Sequence, residues 1–187
     1  MRKKALIILA DGFEEIEAIT AIDILRRAGI EVITTGINDI KVQGSHGITV
    51  IADTTLPSIK DDFDACILPG GMPGATNLAS SEKVNSILTE MNKNGKIIAA
   101  ICAAPAIVLA PLGILQNKTA TCFPDMQENF SRKTIYKEEA VIIDGNIITS
   151  RGPGTALLFA LAIVEKLSGK ETCRELKKAV LSGAPPD

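Results

Sequence analysis

The amino-acid sequence predicts an α/β fold in which a mostly parallel sheet is covered by helices on both faces. Short aliphatic segments alternate along the chain with longer segments whose apolar residues recur at helical spacing. Several of the short segments, such as 5–9 and 65–68, contain no polar residue, as expected for strands buried on both faces. With 187 residues, the chain has the size of one ordinary domain, and we expect residues 1–187 to form it.

The first half of the chain predicts strands, one helix and a hairpin. Gly29 ends the helical periodicity, and the Gly-Ser-His-Gly turn at 44–47 indicates a β-hairpin outside the main sheet. The predicted elements, in order, are a strand at 5–9, a helix at 14–28, a strand at 31–35, the hairpin at 41–52 and a strand at 65–68.

The second half continues the same alternation. Pro105 is tolerated in a first helical turn, Asp144-Gly145-Asn146 is a hairpin signal, and Gly169 separates two helical segments. The predicted elements are a helix at 81–94, a strand at 96–101, a helix from 105 to about 113, strands at 118–121, 141–144 and 147–150, and helices at 155–167 and 170–181, with fraying expected at 185–187.

Composition excludes several classes of protein. The net charge is −2 and aromatic residues make up 3% of the chain, so neither a basic face nor a row of stacking aromatics indicates nucleic-acid binding. The four cysteines are far apart and form no CxxC pair. This spacing argues against a zinc site or a disulfide framework and predicts a reducing, cytoplasmic compartment.

Residues 97–115 carry no charge over a length that could cross a membrane. Pro105 and Pro111 would each break a spanning helix, and much of the segment is alanine, which adds little transfer energy. We therefore interpret the segment as a buried strand followed by a buried helix, and we expect a soluble protein.

Three predicted strands end at residues that could carry chemistry. The first leads into Asp11-Gly12-Phe13 and a group of glutamates, the second into Pro69-Gly70-Gly71, and the third into Cys102. In open α/β sheets, ligands bind at the carboxyl ends of the strands. If these three strands are neighbours, their ends form one pocket.

Cys102 lies at a tight turn between an apolar strand and Ala103-Ala104-Pro105. Such an elbow presents a side chain above the sheet edge, and the helix that follows should lower the pKa of the thiol. The backbone N–H of Ala103, and that of Gly70 or Gly71, could donate to a developing oxyanion. The alternative is a buried core cysteine, and the local sequence leaves both interpretations open.

Helical geometry separates the three glutamates that follow the first strand. At about 100° per residue, Glu14 and Glu17 fall on the apolar arc of the helix, whereas Glu15 falls outside it with Arg26. We expect Glu17 to point inward, to have a raised pKa and to act as an acid or base beside the thiolate. Glu14 either shares this pocket or complements the helix N-terminus from an exposed first turn.

Other candidate motifs give weaker signals. His46 is the single histidine of the chain and lies in a glycine-rich turn, which favours a solvated loop residue over a partner of the cysteine. Residues 70–74 lack the Gly-Lys-Ser/Thr of a P-loop, and no dinucleotide fingerprint follows the first strand. Arg151 begins a strand-to-helix turn, where it could serve the turn itself or contact an anion or a partner chain.

Four segments together resemble one family. They are residues 10–17 (ADGFEEIE), 68–71 (LPGG), 99–105 (AAICAAP) and 149–155 (TSRGPGT). In this order and over essentially the whole chain, they resemble the ThiJ/PfpI superfamily, within it the branch of the parkinsonism-associated protein deglycase and its bacterial YajL-type relatives. The resemblance implies a flavodoxin-like three-layer sandwich akin to class I glutamine amidotransferases, and a homodimer with its sites near the interface.

The resemblance also implies roles for individual residues. Cys102 matches the nucleophilic, oxidisable cysteine, Glu17 its protonated partner, and Gly71 with Ala103 the oxyanion contacts. Five further positions are assigned to the pocket, substrate binding or the nearby interface: Glu14, Gly70, Phe123, Arg27 and His46.

Three departures from the family pattern qualify these roles. Ala103 stands where the peptidase-like branch has histidine, so peptidase activity is not expected. Phe123 stands where human-like members have a histidine, which leaves Glu17 as the main candidate for proton transfer. His46 occupies a position that is often arginine, which weakens the case for an anion site at the dimer interface.

The implied activity is the cofactor-free conversion of methylglyoxal, glyoxal or their early glycation adducts into 2-hydroxy acids. The substrate is then a small 2-oxoaldehyde or a glycated amino acid or protein, and neither metal nor nucleotide is expected. The alternative is a redox-sensing stress protein or holdase chaperone that responds through oxidation of Cys102. A thiamine-pathway or amidotransferase-like activity rests on fold analogy alone.

Overall fold

The computed structural model describes residues 2–60 and 62–183, so the expected fraying of 185–187 lies outside the described residues. The strands are β1 (Lys4–Leu9), β2 (Glu31–Gly36), β3 (Lys41–Gln43), β4 (Thr49–Ile51), β5 (Thr54–Thr55), β6 (Ala65–Leu68), β7 (Ile97–Ile101), β8 (Thr119–Ala120), β9 (Ile135–Tyr136), β10 (Val141–Asp144) and β11 (Ile147–Ser150). The α-helices are α1 (Glu15–Arg27), α2 (Gly74–Ala79), α3 (Glu82–Lys93) and α4 (Ala156–Ala179).

A seven-stranded sheet forms the centre of the molecule, in the order β10-β11-β7-β6-β1-β2-β5. All neighbouring pairs are parallel except β10 and β11, which form an antiparallel hairpin at one edge. β1 lies between β2 and β6, with Ala5 opposite both Val32 and Ala65. The predicted mostly parallel α/β sheet is therefore confirmed.

Two hydrophobic clusters cover the two faces of the sheet. Ile7 and Leu9 of β1 belong to the cluster built with α1 and α4, whereas Leu6 and Ile8 belong to the cluster built with α3 and the segment after β7. Each of these side chains is fully buried, and burial of one such side chain contributes about 1.5–3 kcal/mol. This two-sided burial explains why β1 has no polar residue and gives the molecule its three layers.

The helices begin and end where their sequences favour it. Glu14 caps the N-terminus of α1, and Arg26 and Arg27 lie in its last turn, where positive charge complements the helix dipole. Within α4, Gly169 has φ 88° and ψ 169°, which interrupts the helical conformation. The predicted break between the two closing helical segments is thus confirmed.

The segment after β7 differs from the prediction. Pro105–Leu109 is π-helical rather than α-helical and leads into turns. The sequence analysis also missed α2, β5 and β9, which are only two to six residues long and too short to show a period. Among the described residues, no helix has both the length and the apolar character needed to cross a membrane.

The β3–β4 hairpin lies outside the main sheet, as predicted, with Val42 opposite Val50. It is tied to the loop after β1, because Gly12 N donates to Gln43 O at 2.7 Å and Ser45 N donates to Phe13 O at 2.8 Å. These bonds hold the turn of the hairpin beside the start of α1.

Candidate active site

The carboxyl ends of β1, β6 and β7 meet, because these three strands are neighbours in the sheet. The loops that follow β1 and β6 contact each other directly through their backbones. Glu14 N donates to Gly70 O at 2.9 Å, and Gly74 N donates to Gly12 O at 3.2 Å. The predicted convergence of the three strand ends is confirmed.

Cys102 occupies a strained elbow at the end of β7. Its φ is 64°, a conformation that costs about 1–3 kcal/mol for a residue with a side chain. The surrounding backbone holds it from two sides: Cys102 N donates to Ser150 O at 2.9 Å, and Cys102 O accepts from Phe123 N at 2.8 Å. The side chain packs in the core, and the residue as a whole is 8% exposed.

The two glycines after β6 allow the loop to approach the elbow. A Cβ at Gly70 would lie 2.6 Å from the Cβ of Cys102 and 3.0 Å from Ala103 N. At Gly71, where φ is 88°, a Cβ would lie 2.5 Å from Glu14 N. No side chain fits at either position. The close packing of the backbone around the cysteine therefore requires both glycines of the Pro-Gly-Gly sequence.

Glu17 lies against the sulfur, on the inner face of α1 as predicted. It is 1% exposed, its Oε2 accepts from Gly70 N at 2.7 Å, and its carboxyl group lies close enough to the Cys102 thiol for each group to shift the pKa of the other. Oε1 is buried and has no hydrogen-bond partner among the described residues. Burial, aided by the charge of Glu14, raises the pKa of Glu17 to about 7, although the bonds from Gly70 and Cys102 oppose the change.

We expected a lowered pKa for Cys102. When Glu17 is ionised, this expectation is wrong. Burial, then the charge and the hydrogen bond of Glu17, raise the pKa of Cys102 to about 12. Backbone N–H groups of Gly71 and Ala103 bond to the sulfur and oppose this rise. Above the pKa of Glu17 the shared proton therefore resides on sulfur, and protonation of Glu17 would remove the repulsion that disfavours the thiolate.

Glu14 combines the two roles considered for it. Its Oε2 accepts from Glu17 N at 2.8 Å, so it caps α1, but it does so from a position that is only 7% exposed. The capping interpretation is confirmed, whereas the expected exposure is wrong. Through its charge, Glu14 also favours the protonated form of Glu17.

Glu15 is buried although it lies outside the apolar arc of α1. The turn of the β3–β4 hairpin covers it: Oε1 accepts from His46 N at 2.7 Å, and Oε2 lies 2.9 Å from His46 Nδ1. Burial raises the pKa of Glu15, but the side-chain and backbone hydrogen bonds from His46 outweigh it and lower the pKa to about 2. The sequence analysis missed this contact because His46 is distant along the chain.

His46 is the exposed loop residue that its glycine-rich turn predicts. Its hydrogen bonds join it to Glu15 and Ser45, and the hydrogen bond and charge of Glu15 raise its pKa. Donor atoms of Glu14, Glu15 and His46 lie within 4.8 Å of one another, a spacing that a metal ion could bridge. Both oxygens of Glu15 already accept hydrogen bonds from the hairpin. The three residues therefore fit a structural contact between the hairpin and α1 better than a metal site.

Phe123 and Arg151 lie beside the elbow. Phe123, half-exposed, is joined to Cys102 through its backbone N–H, and its ring lies 3.4 Å from where a Cβ of Gly152 would be. Arg151 follows β11 and pairs with Glu138, Nη1 to Oε1, at 2.8 Å. Phe123 therefore borders the site, and an acidic side chain engages Arg151.

Arg27 lies away from the cysteine. It stands in the last turn of α1, and the helical rise puts it about 15 Å along the axis from Glu17. Its Nε donates to Asp23 Oδ2 at 2.7 Å, and its side chain is half-exposed. The structure does not bring Arg27 together with Cys102.

The chain has a three-layer α/β fold, a strained cysteine at the end of a strand and a buried glutamate beside its sulfur. These features define the class of α/β proteins with a cysteine at a strand-to-helix elbow. The sequence profile of the DJ-1/PfpI family matches residues 3–166. The chain therefore belongs to the DJ-1/PfpI family, and its fold is the flavodoxin-like α/β fold of that family.

Several family members are similar to the chain over nearly its full length. It is 44% identical to Protein dj-1beta of Drosophila melanogaster over 184 residues, which cover 97% of this chain and 98% of that protein. It is 38% identical to the Glutathione-independent glyoxalase DJR-1.2 of Caenorhabditis elegans over 180 residues, 95% of each chain.

Solved structures of family members superpose closely on the chain. The crystal structure of Drosophila melanogaster DJ-1beta has a TM-score of 0.94 at 43% identity and covers 98% of this chain and 100% of its own. Oxidised DJ-1 of Toxoplasma gondii has a TM-score of 0.93 at 37% identity and covers 96% of this chain and 98% of its own.

Proposed function

We propose that the protein is a cofactor-independent, cysteine-dependent glyoxalase that converts methylglyoxal, glyoxal or their early glycation adducts into 2-hydroxy acids. One observation carries the proposal: the buried Glu17 carboxyl, held by Gly70 N at 2.7 Å, lies beside the strained elbow of Cys102, and burial raises its pKa to about 7. A base with this pKa is suited to proton transfer near neutral pH. The similarity to a relative named a glyoxalase adds support.

In the proposed first step, the sulfur of Cys102 attacks the aldehyde carbon of the substrate. The Glu17 carboxylate accepts the thiol proton as the S–C bond forms, and the carbonyl π electrons move to oxygen. Backbone N–H groups of Gly71 and Ala103, which bond to the sulfur at rest, lie where they can stabilise the developing negative charge. Protonation of the oxygen completes a hemithioacetal.

In the second step, Glu17 moves a proton between the two substrate carbons. After giving the thiol proton to the substrate oxygen, the carboxylate removes the proton from the former aldehyde carbon, and the π electrons of the neighbouring carbonyl move to its oxygen. That oxygen takes up the hydroxyl proton of the first carbon, the C=O bond forms at the first carbon, and the Glu17 acid protonates the neighbouring carbon. The first carbon is thereby oxidised and the second reduced, so no external oxidant is consumed. Water then cleaves the thioester, which releases the 2-hydroxy acid and returns the free thiol of Cys102.

The proposal extends to glycated thiols and amines: the sulfur of Cys102 attacks the former aldehyde carbon of the adduct, the bond from that carbon to the thiol or amine breaks, and the released group takes up a proton. It includes a homodimer, because exposed apolar side chains occur on α1 and on the adjoining hairpin: Ile16, Ile19, Ile48 and Ile51. It also includes a cytoplasmic location, which four free cysteines favour.

Replacement of the nucleophile tests the proposal. Cys102→Ser should abolish lactate formation from methylglyoxal, because a serine hydroxyl is a far weaker nucleophile beside this base. Cys173→Ser is the matched control: Cys173 Sγ donates to Leu161 O at 3.4 Å, a bond that a hydroxyl can replace. Full activity of Cys102→Ser would overturn the scheme.

A redox sensor or holdase is the second candidate. The buried Oε1 of Glu17, without a nitrogen or oxygen donor among the described residues, could carry a proton toward an oxidised sulfur, and the similarity to an oxidised relative is consistent with this. Mild peroxide treatment followed by mass mapping separates the candidates. Oxidation of Cys102 alone, in a protein that does not consume methylglyoxal, would favour the sensor. Oxidation of all four cysteines to a similar extent would count against a sensor.

A further inference from the structure

A second cleft, with a volume of about 490 Å³, lies at the carboxyl ends of β1 and β2. The loop after β1 forms part of its wall, before continuing to Glu14 and Glu17. The cleft is bordered by β3 and by the junction of α2 and α3. Its lining side chains are largely polar, and they include Asp11, Asn38, Asp39, Lys41, Asn77 and Ser80.

The two aspartates of this cleft are held by backbone amides. Asp11 Oδ1 accepts from Gln43 N at 2.9 Å, and Asp39 Oδ1 accepts from Lys41 N at 3.1 Å. Each bond fixes its carboxylate but uses only one of its two oxygens. The second oxygen of each aspartate is thus an acceptor that a ligand could use.

The remaining polar groups add both acceptors and donors. Asn77 Nδ2 donates to Asp11 O at 2.8 Å, which fixes the amide and leaves its Oδ1 as an acceptor. Ser81 Oγ accepts from Val84 N at 3.4 Å, so its hydroxyl proton can be donated. Lys41 contributes a positive charge to the lining. The ligand that suits this mixture presents groups that both donate and accept.

Hydroxyl groups both donate and accept hydrogen bonds. The charges of the lining side chains argue against an anion or a simple cation as the ligand. Two carboxylates oppose an anion such as phosphate, and Lys41 opposes a simple cation. Leu9, Ile37 and Val42 supply apolar surface for the C–H groups of a sugar ring. In the dinucleotide-binding α/β fold, which differs from the fold of this chain, an acidic residue binds the hydroxyls of ribose; Asp39, after β2, offers a carboxylate at the carboxyl end of the sheet in the same way.

We propose that the cleft binds the vicinal diol of a ribose-like sugar, with Asp11 and Asp39 accepting from its hydroxyl groups. The glycine-rich phosphate fingerprint is missing from the loop after β1, so the sugar rather than a dinucleotide phosphate is the recognised group. This binding does not depend on the chemistry of Cys102 and stands apart from the proposed glyoxalase activity.

A pair of glycosides tests the proposal on the full-length protein. Methyl β-D-ribofuranoside carries the diol, whereas methyl 2-deoxy-β-D-ribofuranoside lacks one hydroxyl, and neither has a free aldehyde that could react with Cys102. In NMR or calorimetric titrations, the ribofuranoside should bind with a Kd of about 1–10 mM, and the deoxy compound should bind about fivefold or more weakly.

Variants locate the binding. Asp39→Asn and Asp11→Asn keep an oxygen for the Lys41 and Gln43 amides but lose the charge, and each should weaken ribofuranoside binding about threefold to tenfold. Glu128→Gln, in an exposed turn outside the cleft, is the control and should bind normally. Equal affinity for the two glycosides, tighter binding of 1,5-diaminopentane or inorganic phosphate, no ribofuranoside binding, or unchanged affinity in both aspartate variants would overturn the proposal.

Discussion

Replacement of Glu17 by glutamine should change catalysis and thiol reactivity in opposite directions. Glutamine retains an oxygen for the Gly70 N–H, which Glu17 Oε2 accepts at 2.7 Å, so the loop can keep its position. The variant loses the base, and we expect turnover of methylglyoxal to fall about 100-fold or more. Burial, together with the charge and the accepting carboxylate of Glu17, raises the pKa of Cys102 to about 12, and the variant loses the contribution of Glu17.

The loss of that charge should make Cys102 more reactive. Below the pKa of the thiol, the thiolate fraction rises about tenfold for each unit by which the pKa falls, and alkylation by iodoacetamide follows the thiolate. The assays are lactate formation and the alkylation rate at one pH. The control is Glu14→Gln, which lowers the local negative charge but keeps the Glu17 base.

Two results would refute this reasoning. Slower alkylation in Glu17→Gln would mean that the carboxyl group promotes the thiolate at rest, the opposite of what the raised pKa of Cys102 implies. Unchanged turnover would mean that another group transfers the proton. A parallel loss of activity and reactivity, with a lowered urea midpoint, would show instead that the variant disturbs the elbow.

Three further predictions concern stability. The pKa of Glu17 rises from 4.5 to about 7 on folding, so the folded state binds its proton more tightly than the unfolded state does. The free energy of unfolding should therefore fall by about 3 kcal/mol as the pH rises from 4.5 to about 7. Urea titrations of wild type and Glu17→Gln across this pH range check this decrease, which the variant should lack. Gly70→Ala should destabilise the fold by about 1–3 kcal/mol through its 2.6 Å Cβ contact. Gly154→Ala should be nearly neutral, because a Cβ there would meet no described residue within 4 Å besides its chain neighbours; equal midpoints for the two variants would contradict the effect of packing. Glu15→Gln should cost about 1–3 kcal/mol and speed hydrogen exchange in the hairpin turn, whereas Asp23→Asn, which breaks an exposed pair on the same helix, should cost about 0.5 kcal/mol.

The sequence predicts those parts of the fold and site that depend on local periodicity. Buried strands have an unbroken apolar pattern. This pattern predicts the order of strands and helices along the chain, and it places Cys102 at the turn after a strand. The inward direction of Glu17 follows from the same helical arithmetic. Its raised pKa follows from the burial that this direction implies.

What the sequence could not give depends on contacts between distant segments. Glu15 lies outside the apolar arc of α1, and only the folded hairpin, with His46 at its turn, buries it. The pKa of Cys102 depends on which partner holds the shared proton, which a local rule about helix N-termini does not include. The π-helical conformation after Pro105 likewise has no periodic signature in five residues.

Adjacent amides of one glycine pair serve the two reactive groups separately. The N–H of Gly70 holds the carboxylate of Glu17, and the N–H of Gly71 bonds to the sulfur of Cys102. The Gly70 N–H belongs to the Pro69–Gly70 peptide and the Gly71 N–H to the next peptide, so the two donors lie on consecutive planar units that meet at the Cα of Gly70. If the loop shifts as a unit, both donors move together, so the spacing of the carboxyl group and the sulfur can survive motions that would separate two independently held side chains.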